Sequence, residues 1–133
     1  MAGIAVRVEA DVNFTEDEAK VERAVANIFD NVSMEIKPSY GGSVLVAEAE
    51  GREALVTFRR LLSLDRIRDA ARKVFFGGIR GTAVRFCLNK QVAFAGHVSF
   101  SEEVAESPLG PMRVTIEYEN PKQLINWLAS RTA

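Results

Sequence analysis

Arginine is concentrated in one stretch of the chain, and its planar guanidinium group binds phosphate through paired hydrogen bonds. Residues 51–90 carry 10 basic and 3 acidic side chains, a net charge of +7, whereas the other residues carry 7 basic and 15 acidic ones, a net charge of −8. Clustered cations add their contributions to binding through counterion release. The stretch therefore predicts a surface that binds the phosphates of a polyanion. The candidate RNA-binding residues are Arg59, Arg60, Arg66, Arg68, Arg72, Lys73, Arg80, Arg85 and Lys90.

Two alternatives for this charge remain open. A charged helix face is often only solvated, and Asp69 can pair with Arg72 and Lys73 at helical spacing, each pair contributing about 0.2–0.5 kcal/mol. The stretch also fits a homodimeric protein-interaction module with no nucleic-acid role, in which it meets the acidic remainder of another copy or of a partner. An open, exposed patch favours RNA, whereas a patch buried against acids favours assembly.

Two short helices are expected to position the arginines. Over residues 53–62, apolar side chains recur at i, i+1, i+4, i+7 and i+8, one face of a helix whose arginines fall off that face. Residues 63–65 break the pattern, and Ser63 or Asp65 is expected to be the N-cap of a second helix that ends at residues 77–78. A glycine with positive φ is expected there.

The first half of the chain predicts a strand, a helix and another strand. Strict alternation over residues 3–12 is typical of a half-buried strand. Thr15 and Glu18 form a capping box that starts a helix. Residues 31–42 are interpreted as a loop, and Val44–Ala49 as the second strand.

The second half predicts three more strands, at residues 82–88, 91–100 and 112–118, and these can form an antiparallel meander. Asn89-Lys90 is interpreted as the hairpin turn between the first two. Asn120-Pro121 then opens a last helix. The order β-α-β-α-α-β-β-β-α predicts an α+β fold in one domain covering residues 1–133, with a single mostly antiparallel sheet and helices packed on one face.

The chain offers no arrangement expected of an enzyme. His97 is the one histidine, and beside Ser99 on a predicted strand it is interpreted as a surface or interface residue. The acidic cluster Glu102, Glu103 and Glu106 has no histidine or cysteine beside it. We therefore predict no catalytic residues, no cofactor and no metal. A lone Cys87 and the lack of a signal or membrane segment lead us to expect a cytoplasmic protein without membrane contact.

Several segments resemble an archaeal family filed as uncharacterised protein family 0201. They are ARK (71–73), LNKQVAFAGHVSF (88–100), ESPLGP (106–111) and ENPKQLINWLASRTA (119–133), and they occur in the same order. The ESPLGP loop and the ending are the most specific parts.

This resemblance implies a predicted RNA-binding protein without enzymatic activity. It also implies a fold like that of the large-subunit ribosomal protein that contacts five-S rRNA, a homodimer, and an accessory role in RNA processing or with the exosome, through a protein partner. It implies that the ESPLGP loop is either an interface or a fixed connection between strands, and it assigns no site residue. From the charges we expect recognition of double-stranded or structured RNA by backbone and shape.

Overall fold

The computed structural model describes residues 3–101 and 110–131, and within them seven strands form a single sheet. The strands are β1 Ala5–Asn13, β2 Ser33–Ser39, β3 Gly42–Glu50, β4 Ile79–Arg80, β5 Ala83–Asn89, β6 Phe100–Ser101 and β7 Pro111–Glu117. The helices are α1 Glu18–Ile28, α2 Val56–Leu64, α3 Arg68–Gly77, α4 Lys90–Phe94 and α5 Pro121–Leu128. The predicted α+β class with one antiparallel sheet is confirmed, and the predicted order of elements is matched in outline.

The sheet separates a buried face from an exposed one. Its strand order is β2-β3-β1-β7-β5-β4, with β6 also beside β5, and every pairing is antiparallel. Val8 of β1 lies opposite Ala47 and Val114, and all three are buried under the helices. Because side chains alternate along a strand, Arg7 and Glu9 lie on the other side. We call that side the open sheet face.

An aromatic cluster fixes α2 and α3 to the sheet. Phe58 of α2 stacks on Phe86 of β5 with ring centroids 5.6 Å apart, and Phe75 of α3 lies 4.9 Å from the same ring. Burying a phenylalanine side chain contributes about 1.5–3 kcal/mol, and each aromatic pair adds about 0.5–1.5 kcal/mol. The cluster therefore holds the two arginine-bearing helices in one orientation, with their charged sides turned away from the sheet.

The last helix, α5, lies against both arginine-bearing helices. Asn120 is its N-cap and accepts a hydrogen bond from the Gln123 amide at 3.1 Å, and Pro121 occupies the first turn, as predicted. Leu124 and Leu128 are buried. The last turn of α5 carries no basic residue of its own, so its carbonyl groups depend on neighbouring helices for cationic partners.

Two predicted segments are wrong. Residues 31–42 are not a loop, because Ser33–Ser39 forms the edge strand β2, and Pro38 is tolerated there because an edge strand leaves some amide positions unpaired. Most of the strand predicted at residues 91–100 is absent, because Asn89 caps helix α4 by accepting from the Val92 amide at 3.0 Å, and only Phe100 belongs to a strand, β6. The capped helix replaces the predicted hairpin turn and meander, and β5 pairs directly with β7.

The predicted helix ends also need correction. Asp17, not Thr15, caps α1 and accepts from the Ala19 amide at 2.9 Å. The N-cap of α3 is Ile67, without a side-chain hydrogen bond. Gly78 has a φ of −95°, so it is not a left-handed cap. Glycine is required there because a Cβ would run into the backbone carbonyl of Arg85.

Candidate nucleic-acid interface

Six of the nine predicted cations lie in the helical layer. In α2 and α3, Arg60 and Lys73 fall about 200° around the helix from the buried Phe58 and Ala71, so they point away from the sheet. Arg66 lies in the turn between the helices, with a left-handed φ of 56°. Together with cations from neighbouring segments, the six form what we call the basic helical face. Its members are Arg52, Arg59, Arg60, Arg66, Arg68, Arg72, Lys73, Lys122 and Arg131.

The other three predicted cations lie elsewhere. Arg80 is at the sheet edge, where it donates to the carbonyl oxygens of Gly77 and Ile79. Arg85 is exposed on the open sheet face, opposite the helices. Lys90 is only 5% exposed, and its ammonium group donates to the Glu16 carboxylate and to the Asp11 carbonyl. The prediction that Lys90 is an RNA-binding residue is therefore corrected, because a buried ammonium group cannot contact RNA.

Arginines from α2 and α3 converge on the C-terminal end of α5. Arg59 Nε donates to the Trp127 carbonyl at 2.8 Å, and Arg72 donates to the Ala129 carbonyl at 2.9 Å. Arg68 donates to the Ser130 hydroxyl at 3.1 Å. The carbonyl end of a helix carries partial negative charge, so these contacts stabilise α5 and hold the guanidinium groups together. All three acceptors are uncharged, so the arginines keep their full positive charge.

Two arginines also cover the only tryptophan of the chain. The guanidinium carbons of Arg59 and Arg52 lie 5.2 Å and 6.0 Å from the centre of the Trp127 ring. Such cation–π contacts contribute about 0.5–1 kcal/mol at exposed sites. The contacts join the segment before α2 to α5, and they place one more cation, Arg52, on the same side of the molecule.

A groove between α3 and α5 adds residues that the sequence analysis missed. We call it the Phe76 groove. Two adjoining cavities share Arg72, Phe76 and Arg131, and Lys73 and Lys122 lie at their sides. The Phe76 side chain is 38% exposed, and the Arg72 guanidinium lies 5.3 Å from its ring centre. Lys122 and Arg131 were missed because they lie outside the contiguous basic stretch, Lys122 in the first turn of the last helix and Arg131 after its end.

The open sheet face carries arginines of a different kind. Arg7 forms ion pairs with Glu9 and Glu48, each at 2.9 Å, and Arg113 lies 3.3 Å from Asp11. The hydrogen bond to Glu9 is the main cause that raises the pKa of Arg7. The positive charges of Arg7 and Arg113 are therefore balanced locally by carboxylates.

Among the described residues, the histidine considered for catalysis has an acidic partner, and no metal-binding group is formed. His97 follows α4 rather than lying on a strand, and its Nδ1 is 3.3 Å from Asp65. Asp65 also accepts from the Val98 amide at 3.2 Å. Among residues 3–101 and 110–131, no group of histidine, cysteine or carboxylate side chains could hold a metal ion. The acidic cluster at residues 102–106 and most of the ESPLGP loop lie outside the described residues.

The helices of the described residues are all too short or too polar to cross a membrane.

Comparison with known proteins identifies close relatives. A family model described as RNA binding matches residues 5–118. A UPF0201 protein of Sulfurisphaera tokodaii is 44% identical over 126 residues, covering 95% of this chain and 87% of the relative. A UPF0201 protein of Pyrobaculum islandicum is 45% identical over 130 residues, covering 96% and 91%. The crystal structure of a UPF0201 protein from Methanococcus jannaschii has a TM-score of 0.84 at 29% identity, covering 97% of this chain and 95% of that chain.

Proposed function

The chain belongs to the UPF0201 family, whose model is described as RNA binding, and from this premise we propose that the basic helical face binds the phosphate backbone of structured RNA. The family description names no enzymatic activity. The observation that carries the proposal is the convergence of Arg59, Arg68 and Arg72 on uncharged acceptors at the end of α5. Cations that are held in place by uncharged acceptors suit phosphate binding.

Recognition by backbone and shape fits the composition of this face. Sequence-specific readers of RNA usually stack several bases on aromatic side chains. Of the four phenylalanines in residues 51–90, Phe58, Phe75 and Phe86 are buried in the aromatic cluster, and only Phe76 is exposed. The face therefore binds mainly through phosphate contacts, with weak sequence preference and strong dependence on salt.

The protein-interaction alternative is not favoured. It needs the arginines to serve as interface residues that meet acidic groups, whereas the family description is RNA binding. The homodimer, the RNA-processing partner and the cytoplasmic location stay predictions of the sequence analysis. A dimer that left the basic helical face open would be compatible with the proposed function.

The test compares two charge-matched variants by fluorescence anisotropy with a short RNA duplex over a range of salt concentrations. Arg60→Gln with Lys73→Gln removes two outward-pointing cations of the basic helical face. Arg23→Gln with Lys37→Gln removes two exposed cations from α1 and β2. We expect the first variant to weaken binding about tenfold and to lower the slope of log affinity against log salt by about 2, because each phosphate contact contributes about one unit of slope.

The control variant should keep the affinity and the slope of the unmodified protein within about a factor of two, since it removes the same net charge at a distance from the face. Equal weakening of both variants would show that net charge alone drives binding. Absence of binding to the duplex even at low salt would refute the proposed function.

A further inference from the structure

The Phe76 groove combines an exposed aromatic ring with several cations. Among the described residues, the exposed large hydrophobic side chains include the aromatic residues Phe14, Tyr40, Phe76 and Phe94. Phe76 differs from the others because it lines both cavities between α3 and α5, together with Arg72 and Arg131. An aromatic ring that is needed only for the core would be buried, as its neighbour Phe75 is.

The ring and the guanidinium beside it form a stacking platform. Arg72 lies over Phe76 at 5.3 Å and is held in place by hydrogen bonds to Asn126 at 2.8 Å and to Ala129 at 2.9 Å. Unpaired bases stack on aromatic side chains and on arginine planes, and this stacking tolerates any base. Because Arg72 is fixed from the α5 side, the platform is ordered before a ligand arrives, which reduces the entropy lost on binding.

The cations around the platform suit the phosphates on either side of one base. Lys73 lies on the α3 side of the groove, Lys122 on the α5 side, and Arg131 borders both cavities. Asp69 adds a carboxylate on the α3 side, so the most positive part of the groove lies towards α5. The groove has one exposed aromatic ring, and one ring can stack one base. It therefore suits a single base rather than a continuous single strand.

We infer that the Phe76 groove binds a single unpaired nucleotide of the RNA, a bulged or terminal base that stacks on Phe76 and Arg72 while its phosphates contact Lys73, Lys122 and Arg131. This inference rests on the proposed function and deepens it, because it adds a feature of the RNA that a uniform duplex lacks. Bases that are already unpaired are selected, since extruding a paired base requires unstacking energy.

The experiment compares two RNA duplexes of equal length, one fully paired and one with a single bulged 2-aminopurine. We expect the unmodified protein to bind the bulged duplex about tenfold more tightly, in line with the stabilisation by one base–aromatic stack. We also expect the 2-aminopurine fluorescence to decrease on binding, because stacking quenches it. Phe76→Leu should reduce the difference between the two affinities to less than about twofold, and Phe76→Trp should keep the preference.

Phe94→Leu is the matched control. Phe94 is also 38% exposed and lies 5.9 Å from a lysine ammonium group, that of Lys20, but it borders a different cavity beside Glu16 and Asp17. This variant should keep the preference for the bulge. Equal affinity of the unmodified protein for both duplexes would overturn the inference and leave the proposed function standing. A preference that survives Phe76→Leu would also overturn it, whereas absence of binding to either duplex would remove both proposals.

Discussion

The helical layer and the open sheet face both carry arginines, but the arginines have different partners. On the open sheet face, Arg7 pairs with Glu9 and Glu48, so its charge is balanced by carboxylates. In the helical layer, Arg59 and Arg72 donate to backbone carbonyls at the end of α5. The partners of the arginines therefore affect how strongly each surface attracts a polyanion. Variants on both sides of the molecule test this contrast.

The largest change in stability is expected at Lys90, which belongs to the basic stretch in sequence but is buried in the structure. Lys90→Met leaves the Glu16 carboxylate, whose side chain is only 11% exposed, without its cation, and we expect the free energy of unfolding to fall by about 3–5 kcal/mol. Urea denaturation measures this change. Adding Glu16→Gln should recover part of the loss, because the amide oxygen still accepts from Asn13 and no buried charge remains. Unchanged stability in the single variant would contradict the observed ion pair.

The next effect concerns binding. Arg68→Glu with Arg72→Glu reverses two charges of the basic helical face, and we expect affinity for an RNA duplex to fall about 100-fold, since contacts to charged groups contribute about 1.5–3 kcal/mol each. His97→Ala, at an exposed residue paired with Asp65, should change affinity by less than about twofold. Because Arg72 also stabilises α5, circular dichroism must show that the double variant is folded. A folded double variant with unchanged affinity would refute the assignment of these arginines.

The smallest effect is a difference in stability between two single substitutions. Arg72→Ala leaves the Ala129 carbonyl without its donor, and we expect the free energy of unfolding to fall by about 1–3 kcal/mol. Arg7→Ala breaks only exposed ion pairs and should lower it by no more than about 1 kcal/mol. Thermal unfolding of both variants measures the difference. A larger loss of stability for Arg7→Ala would mean that the ion pairs of the open sheet face stabilise the fold more than the arginines at the end of α5 do.

Local patterns predicted much of the fold. The alternation in β1 predicts only a strand and Asn120-Pro121 predicts only a helix start, and both elements are confirmed. The pattern at Asn89 has two interpretations, because asparagine favours both tight turns and helix N-caps. Alternating apolar residues after it favoured a strand, but the N-cap hydrogen bond to Val92 and the packing of α4 against α1 decide for a helix. Tertiary packing of this kind cannot be read from a single segment.

The interface could be predicted only where it is contiguous in sequence. Six of its cations lie on α2, α3 and the turn between them, and charge counting along the chain found them. Lys122 and Arg131 join the face only because α5 folds against α3, and the exposure of Phe76 depends on the same packing. In contrast, Arg85 and Lys90 belong to the basic stretch but not to the interface. Strand alternation places Arg85 on the open sheet face, and Lys90 is buried, where it pairs with Glu16.

Amide chemical-shift mapping separates the two faces in one measurement. The ¹⁵N-labelled protein is titrated with a short RNA duplex, and the shifts of each backbone amide are followed. We expect the largest changes in α2, α3 and the end of α5, including the indole N–H of Trp127, and almost none at Arg7, Glu9 and Glu48 on the open sheet face. Shifts concentrated on β1 and β3, with α3 and α5 unchanged, would contradict the assignment of RNA binding to the basic helical face.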